Sequence, residues 1–182
     1  MKKVKVLLAA LLSVTVIFGA AVPTYAASSD VKIEVKETTM DNVSVTVPTT
    51  IPIVFNADGS NTLPTNWTIE NVSAIAGVHL AKIDMNAEDS GWKLLAASQD
   101  VKTLSKDTKS IKFSVGKAGS LKLVAPTSGT ENAVGSVTFG NTEISIPSGE
   151  TQVLSFGVER GAFTKSEASA KAFDMVLTFN FN

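Results

Sequence analysis

Hydrophobic and polar residues alternate along most of the chain after residue 26. A period of two places successive side chains on opposite faces of an extended strand, which is typical of half-buried β-strands. Glycine, proline, asparagine, aspartate and serine separate the runs, as turns require. In the first part of the chain the alternating runs lie at 31–36, 43–47, 51–55, 67–72, 77–85 and 92–96. The pattern predicts an all-β fold, an antiparallel β-sandwich.

The second part of the chain follows the same pattern. Residues 111–115 and 121–124 flank a Gly-Lys-Ala-Gly turn and predict a hairpin, and further strands are predicted at 134–139, 143–146, 153–158 and 173–181. The last run places five apolar residues on one face: Phe173, Met175, Leu177, Phe179 and Phe181. Such a strand has to pair, because an exposed hydrophobic edge aggregates. Two segments without alternation, 93–109 and 161–172, predict short helices or crossover loops.

The first 26 residues have a different character. Lys2, Lys3 and Lys5 precede an uncharged apolar run at 6–22, and Ala26 offers a small residue for cleavage. This is the pattern of a secretory signal peptide with an apolar helix, which is removed on export. We therefore expect residues 1–26 to be a signal peptide and residues 27–182 to form a single β-sandwich domain, secreted or held at the cell surface.

The charge of the predicted mature chain argues against nucleic acid as a partner. Without the three signal lysines it carries 13 basic and 17 acidic residues, a net charge of −4, and Arg160 is its sole arginine. No basic stripe is present to neutralise a phosphate backbone. No second apolar run approaches the roughly 20 residues that span a bilayer, so no membrane span is expected after signal removal. The chain has no cysteine, which excludes thiol nucleophiles and thiolate metal sites.

Catalytic chemistry has little support in the sequence. His79 is the only histidine, and alternation places it on the same face as Ala81, Ile83 and Met85, where a partly buried structural role is expected. A general base also needs a nucleophile and an orienting group, and the chain contains no G-x-S-x-G motif. The sequence predicts a protein that is not an enzyme, with no catalytic residues and no cofactor.

Two acidic loops are candidates for calcium, which prefers clustered carboxylate and carbonyl oxygens. One contains Asp58 and the other contains Asp84, Glu88 and Asp89. The alternative is that these residues simply build tight turns, since aspartate and asparagine favour them. The sequence leaves open whether any metal site exists.

Trp67 and Trp92 are the only tryptophans. Exposed aromatic rings could stack on sugars, so a carbohydrate- or ligand-binding module is the alternative function. However, Trp67 alternates with Ile69 and Trp92 with Leu94, which favours burial in the core.

Four short segments carry a family resemblance: VSVTVP at 43–48, IENVS at 69–73, IPSGETQ at 146–152 and AFDMVLTFNF at 172–181. Their order after a signal peptide resembles the small exported β-sandwich proteins of Firmicutes, including the TasA and camelysin group. The last strand is also similar to that of several fimbrial subunits. The resemblance implies a jelly-roll or immunoglobulin-like sandwich that serves as a surface or matrix component and sometimes polymerises by strand donation.

These observations together predict an exported, non-enzymatic β-sandwich with a structural or adhesive role at the cell surface or in the extracellular matrix. Its partners would be further copies, other surface proteins or a polysaccharide. Association is expected through sheet edges. The candidate residues lie in the first and the last predicted strands: Val31, Ile33 and Val35, and Phe173, Met175, Leu177, Phe179 and Phe181.

Overall fold

Extended strands make up most of the described part of the chain. The computed structural model describes residues 29–37, 44–56, 59–74, 76–87, 90–164 and 170–182. The predicted signal peptide at 1–26 lies outside the described residues. No α-helix occurs in these ranges, and a short 3₁₀ helix lies at Val101–Thr103. None of the helices within these ranges is long and apolar enough to cross a membrane.

Within the described ranges fifteen strands form two sheets that pack together, as the alternating pattern predicts. The first sheet contains β1 (Ser29–Glu37), β3 (Thr50–Phe55), β4 (Asn61–Thr62), β6 (Val78–Asn86), β10 (Ala125–Pro126), β12 (Val134–Thr138), β13 (Ser145–Ile146) and β15 (Ala170–Phe181). The second sheet contains β2 (Val45–Thr46), β5 (Trp67–Asn71), β7 (Lys93–Leu95), β8 (Ser110–Lys117), β9 (Ser120–Leu123), β11 (Glu131–Asn132) and β14 (Thr151–Arg160).

The strand order places the first and the last described strands in the middle of the first sheet. That order is β10, β12, β6, β15, β1, β3, β4, with β13 paired to β6 beside β12. The second sheet runs β11, β7, β8, β14, β5, β2, with β9 paired to β8. The predicted hairpin of β8 and β9 is present, and Gly119 in its turn has a φ of 80°, a conformation that glycine adopts without steric cost.

The sheets are not wholly antiparallel, and the prediction is wrong on two pairs. β1 pairs with β15 in parallel, and so does β7 with β8. Parallel neighbours need a long crossover rather than a tight turn. The segment 96–109 supplies the crossover from β7 to β8 and contains the 3₁₀ helix, so this stretch without alternation is a connection rather than an α-helix.

Alternate side chains of the strands fill the space between the sheets. On β15 the inward residues Phe173, Met175, Leu177 and Phe179 are buried, whereas the intervening described residues are at least partly exposed. β5 and β8 show the same period of two. The apolar side chains form one continuous core cluster. Since burial of apolar surface is the main favourable term in folding, this alternation determines which face of each strand points inward.

The first and last predicted strands, which are the candidates for association, are not free edges in this fold. β1 lies between β15 and β3, and β15 lies between β6 and β1. The candidate association residues Val31, Ile33, Val35, Phe173, Met175, Leu177 and Phe179 therefore belong to strands that are paired on both sides. The physical reason is the apolar stripe of β15, which gains most burial at the centre of a sheet. Phe181, near the end of β15, is 46% exposed.

Asn71 links the end of β5 to the loops around it, and its loss should destabilise the fold. The fully buried side chain donates to the carbonyls of Ala76, Ile146 and Pro147 and accepts from the amide of Ser73. Asn71→Ala removes all four hydrogen bonds, of which those to the Ile146 carbonyl and the Ser73 amide are buried, and we expect a loss of about 2–3 kcal/mol.

Chemical denaturation followed by circular dichroism measures this loss. Asn141→Ala, at an exposed turn position, is the matched control and should change the free energy of unfolding by less than about 0.5 kcal/mol. Equal effects of the two substitutions would contradict the role assigned to Asn71.

Candidate functional site

β1 lies between β3 and β15 and is hydrogen-bonded to both strands. On one side it pairs antiparallel with β3, with Ile33 opposite Ile51, and on the other it pairs in parallel with β15, with Ile33 opposite Phe173. Ile33 and Val35 point into the core and are 0% and 8% exposed. The strand thus contributes both hydrogen-bonded ladders and apolar side chains.

The β15 side of this position is supported by β6. Eight residues of β15, from Asp174 to Phe181, have register partners on β6, and the inward side chains of β15 belong to the core. This support is independent of β1.

The β3 side is fastened to the second sheet by side chains. The indole Nε1 of Trp67, on β5, donates to the carbonyl of Thr50 at the start of β3 over 3.1 Å. Because buried tryptophan N–H groups need a partner, this bond fixes Trp67 and β3 relative to each other. β3 is therefore held by a strand of the opposite sheet as well as by its own neighbours.

Arg160, at the end of β14, makes the second connection between the sheets. Its guanidinium donates to the carbonyl of Asn56 and to Oδ1 of Asn61, each at 3.0 Å, and Asn61 Nδ2 donates to the carbonyl of Val158 at 2.9 Å. The guanidinium carbon also lies 4.8 Å from the ring centre of Phe55, a cation–π distance. The planar, multiply donating arginine thus binds the β3–β4 hairpin to β14.

The two sides of the β1 position consequently have separate supports. β15 is held by β6, and the β3–β4 hairpin is held by Trp67 and Arg160. Both sides present backbone donors and acceptors toward the position that β1 fills. Chemically, this arrangement can accept an extended segment with apolar side chains at alternate positions.

Three charged side chains lie on the outer face of the β1–β15 pair, and we call them the charge triad: Glu34, Lys171 and Asp174. The ammonium of Lys171 lies 3.0 Å from Glu34 Oε2 and 2.9 Å from Asp174 Oδ1. The pKa of Lys171 is raised above its usual value because its ammonium donates to Asp174 and to Glu34. These contacts tie β1 to β15 outside the core.

His79 is buried and hydrogen-bonded to another side chain in the described part of the chain. It is 3% exposed, and its Nδ1 lies 3.0 Å from Oδ1 of Asn182. Asn182 Nδ2 donates to the carbonyl of Val78 and to Oγ of Ser145, so Oδ1 is the acceptor and Nδ1 of His79 carries a proton. The hydroxyl of Ser145 contacts the amide of Asn182, which is not the nucleophile and base geometry of a hydrolase.

The calcium candidates are only partly covered by the structure. Asp84 forms an ion pair with Lys82, with 2.7 Å between Nζ and Oδ1. The ammonium of a residue on the same strand therefore already neutralises this carboxylate. Asp58, Glu88 and Asp89 lie outside the described residues. Among the residues that are described, no group of three or more His, Cys, Asp and Glu side chains is placed to hold a metal ion.

Both tryptophans are buried, which corrects their alternative role as a stacking surface for sugars. Trp67 is 3% exposed and packs edge-on against Phe156, and Trp92 is 2% exposed and packs against both Phe55 and Phe163. Stacking requires an exposed ring face. The alternation of Trp67 with Ile69 and of Trp92 with Leu94 predicted this burial.

Sequence reasoning did not identify the Arg160 network or the charge triad. The single arginine of the predicted mature chain was one available signal for the first. The alternating charges at positions 30, 32, 34 and 36, which are Asp, Lys, Glu and Lys, were a signal for the second. Neither signal indicates a partner without the tertiary structure, which brings β14 to the β3–β4 hairpin and β1 to β15.

No protein-family model, curated protein or solved structure matches this chain.

The Arg160 contacts lead to a stability prediction. Arg160→Lys keeps the positive charge but loses the planar group that reaches Asn56, Asn61 and the Phe55 ring together. We expect the free energy of unfolding to fall by about 1–3 kcal/mol. Chemical denaturation checks this value, with Lys106→Met at an exposed position as control. A loss no larger than that of the control would contradict the proposed fastening of β3.

The buried tryptophans lead to a spectroscopic prediction. The emission of the folded protein should be blue-shifted and poorly quenched by acrylamide, because both indole rings lie in the core. Trp67→Phe and Trp92→Phe separate the two contributions. A red-shifted, readily quenched emission that responds to added polysaccharide would instead favour a sugar-binding surface.

Proposed function

We propose that this protein is an exported, non-enzymatic structural or adhesive component of the cell surface or extracellular matrix, and that it assembles by exchanging β1 between copies. In such an exchange, β1 of one chain fills the position between β3 and β15 of another. The observation that carries this proposal is the place of β1: the first described strand lies in the interior of a sheet whose two sides are supported separately.

The sequence position of β1 supports this proposal. Cleavage after Ala26 would leave Ser29–Glu37 at the start of the mature chain, and residues 38–43 join it to the residues before β2. A terminal strand can leave its own domain and enter another without threading a loop. Because the exchanged strand makes the same ladders in either chain, exchange of an identical element is a low-cost route to assemblies.

The geometry of the sheet also favours exchange over simple edge pairing. The outermost strands within the described ranges are short: β4, β2 and β11 span two residues each, and so does β10. Short edge strands offer few ladder hydrogen bonds to a neighbour. β1 spans nine residues and pairs on both sides, so it offers a much larger contact between copies.

The absence of cysteine from the sequence allows a direct test by disulfide trapping. Lys36 and Val176 are register partners in the β1–β15 pair, and partners in adjacent strands are close enough for a disulfide. A tagged chain with Lys36→Cys and an untagged chain with Val176→Cys are unfolded, mixed and refolded together. If β1 is exchanged, the oxidised mixture contains a covalent dimer of the two different chains.

The control pairs Lys36→Cys with Asn180→Cys, four residues further along β15 and therefore about 13 Å out of register. Size-exclusion chromatography and electron microscopy of the unmodified mature chain accompany the trapping. A protein that stays monomeric at high concentration and forms no register-specific dimer overturns the proposal. Association without the trapped dimer would assign assembly to other strands.

No observation on the described residues favours the alternative of a carbohydrate-binding module. Secretion and the jelly-roll or immunoglobulin-like type of the sandwich stay predictions of the sequence.

A further inference from the structure

The register of the β1–β15 pair places two carboxylates side by side. Glu34 is the register partner of Asp174, and Lys32 is the register partner of Lys171. Like charges directly opposite one another destabilise a sheet. The pair therefore needs an arrangement that relieves this repulsion on its outer face.

A β-bulge provides that arrangement. Lys32 pairs with Lys171 and Ile33 with Phe173, so Ala172 is the extra residue on β15. The bulge lets the ammonium of Lys171 lie within 3.0 Å of Glu34 and 2.9 Å of Asp174. One cation is thereby shared by two carboxylates, one from each strand. Bulges commonly redirect a side chain in this way.

The sequence of β1 makes this contact specific for one register. Positions 32, 34 and 36 are Lys, Glu and Lys. A slip by one residue would turn the apolar side chains of β1 away from the core. A slip by two residues in either direction keeps the faces but places a lysine where Glu34 lies. Lys171 then loses a carboxylate and gains a neighbouring cation.

From this geometry we propose that the charge triad of Glu34, Lys171 and Asp174 selects both the register of β1 and the chain that supplies it, a second copy of this protein. The inference rests on the proposed exchange of β1. Ile33 and Val35 supply the burial that any apolar strand could supply. The acidic group at position 34, facing the cation on β15, is the feature that distinguishes this β1 from other alternating strands.

A charge exchange between two separate chains tests the inference. Lys171→Glu gathers three carboxylates at the triad, and Glu34→Lys gathers two cations with one carboxylate. Each variant alone is mismatched whether β1 stays in its own chain or enters an identical one. When the two variants are mixed, β1 of the Lys171→Glu chain brings Glu34 to Lys171 and Asp174 of the Glu34→Lys chain. In the reverse pairing, the new lysine of the Glu34→Lys chain meets Asp174 and the new glutamate of the Lys171→Glu chain. Each pairing combines one cation with two carboxylates, and both exist only between different chains.

The experiment refolds differently tagged Lys171→Glu and Glu34→Lys chains together and counts their assemblies by native mass spectrometry. We expect the ratio of mixed to unmixed assemblies to exceed the statistical ratio by about 3- to 10-fold, since an exposed ion pair is weakly favourable and its reversal adds repulsion. Two tagged wild-type chains should mix statistically. The double variant Glu34→Lys with Lys171→Glu restores the match within one chain and should behave like the wild type.

The outcomes separate this inference from the proposed function. If wild-type chains assemble but the two variants mix only statistically, the charge triad does not select the partner, while exchange of β1 stands. If wild-type chains do not assemble and the variants form no mixed species, both proposals are overturned.

Folding failure of Lys171→Glu would not prevent the test. Recovery of the β-sheet circular dichroism signal on refolding with Glu34→Lys would then support the inference, and no recovery would contradict it. The milder Lys171→Gln removes the cation without adding a carboxylate. A chain with this substitution should no longer pair more often with wild-type β1 than with β1 of the Glu34→Lys variant. Raised salt should weaken the preference of the mixed pair, because exposed charges are screened.

Discussion

The pairing of β1 with β15 is the interaction on which the rest of the structure depends. β15 carries a long apolar stripe, and its inward side chains from Phe173 to Phe179 are at most 3% exposed. To bury that stripe without an open backbone edge, β15 needs a neighbour on each side. β6 supplies one and β1 supplies the other. β1 is therefore needed to complete the sheet.

The supports around β1 differ in kind from the contacts of β1 itself. The β3–β4 hairpin is fastened by directional hydrogen bonds from Trp67 and Arg160, whose geometry is fixed by rings and a planar guanidinium. β1 is held by ladders, two described inward side chains and an exposed ion pair. Another copy of β1 can make the same ladders and the same ion pair. The proposed exchange would therefore replace the contacts of β1, while the hydrogen bonds that hold the β3–β4 hairpin stay within one chain.

Burial also decides which residues are available for chemistry. The rings of Trp67 and Trp92 stabilise the core, so neither presents a face to a ligand. His79 is held by an asparagine rather than by a carboxylate or a nucleophile. The groups that stay outside are scattered ion pairs such as Lys82 with Asp84 and Lys122 with Glu143. On the outer face of β1 and β15, the ion pairs of Lys171 with Glu34 and Asp174 lie beside the backbone pairing of the two strands.

The alternating pattern by itself determined the fold class, most strand positions and the inward faces, because a period of two assigns each side chain to one face of a strand. It also predicted the β8–β9 hairpin and the burial of both tryptophans, since these depend on neighbours in sequence. The sequence could not place β1 beside β15 or β7 parallel to β8, because residues far apart in the chain meet only through the packing of both sheets. The charge triad and the Arg160 network have the same origin: each joins strands that no local rule brings together. Tertiary structure decided the strand order, and with it the conversion of two expected edges into the centre of a sheet.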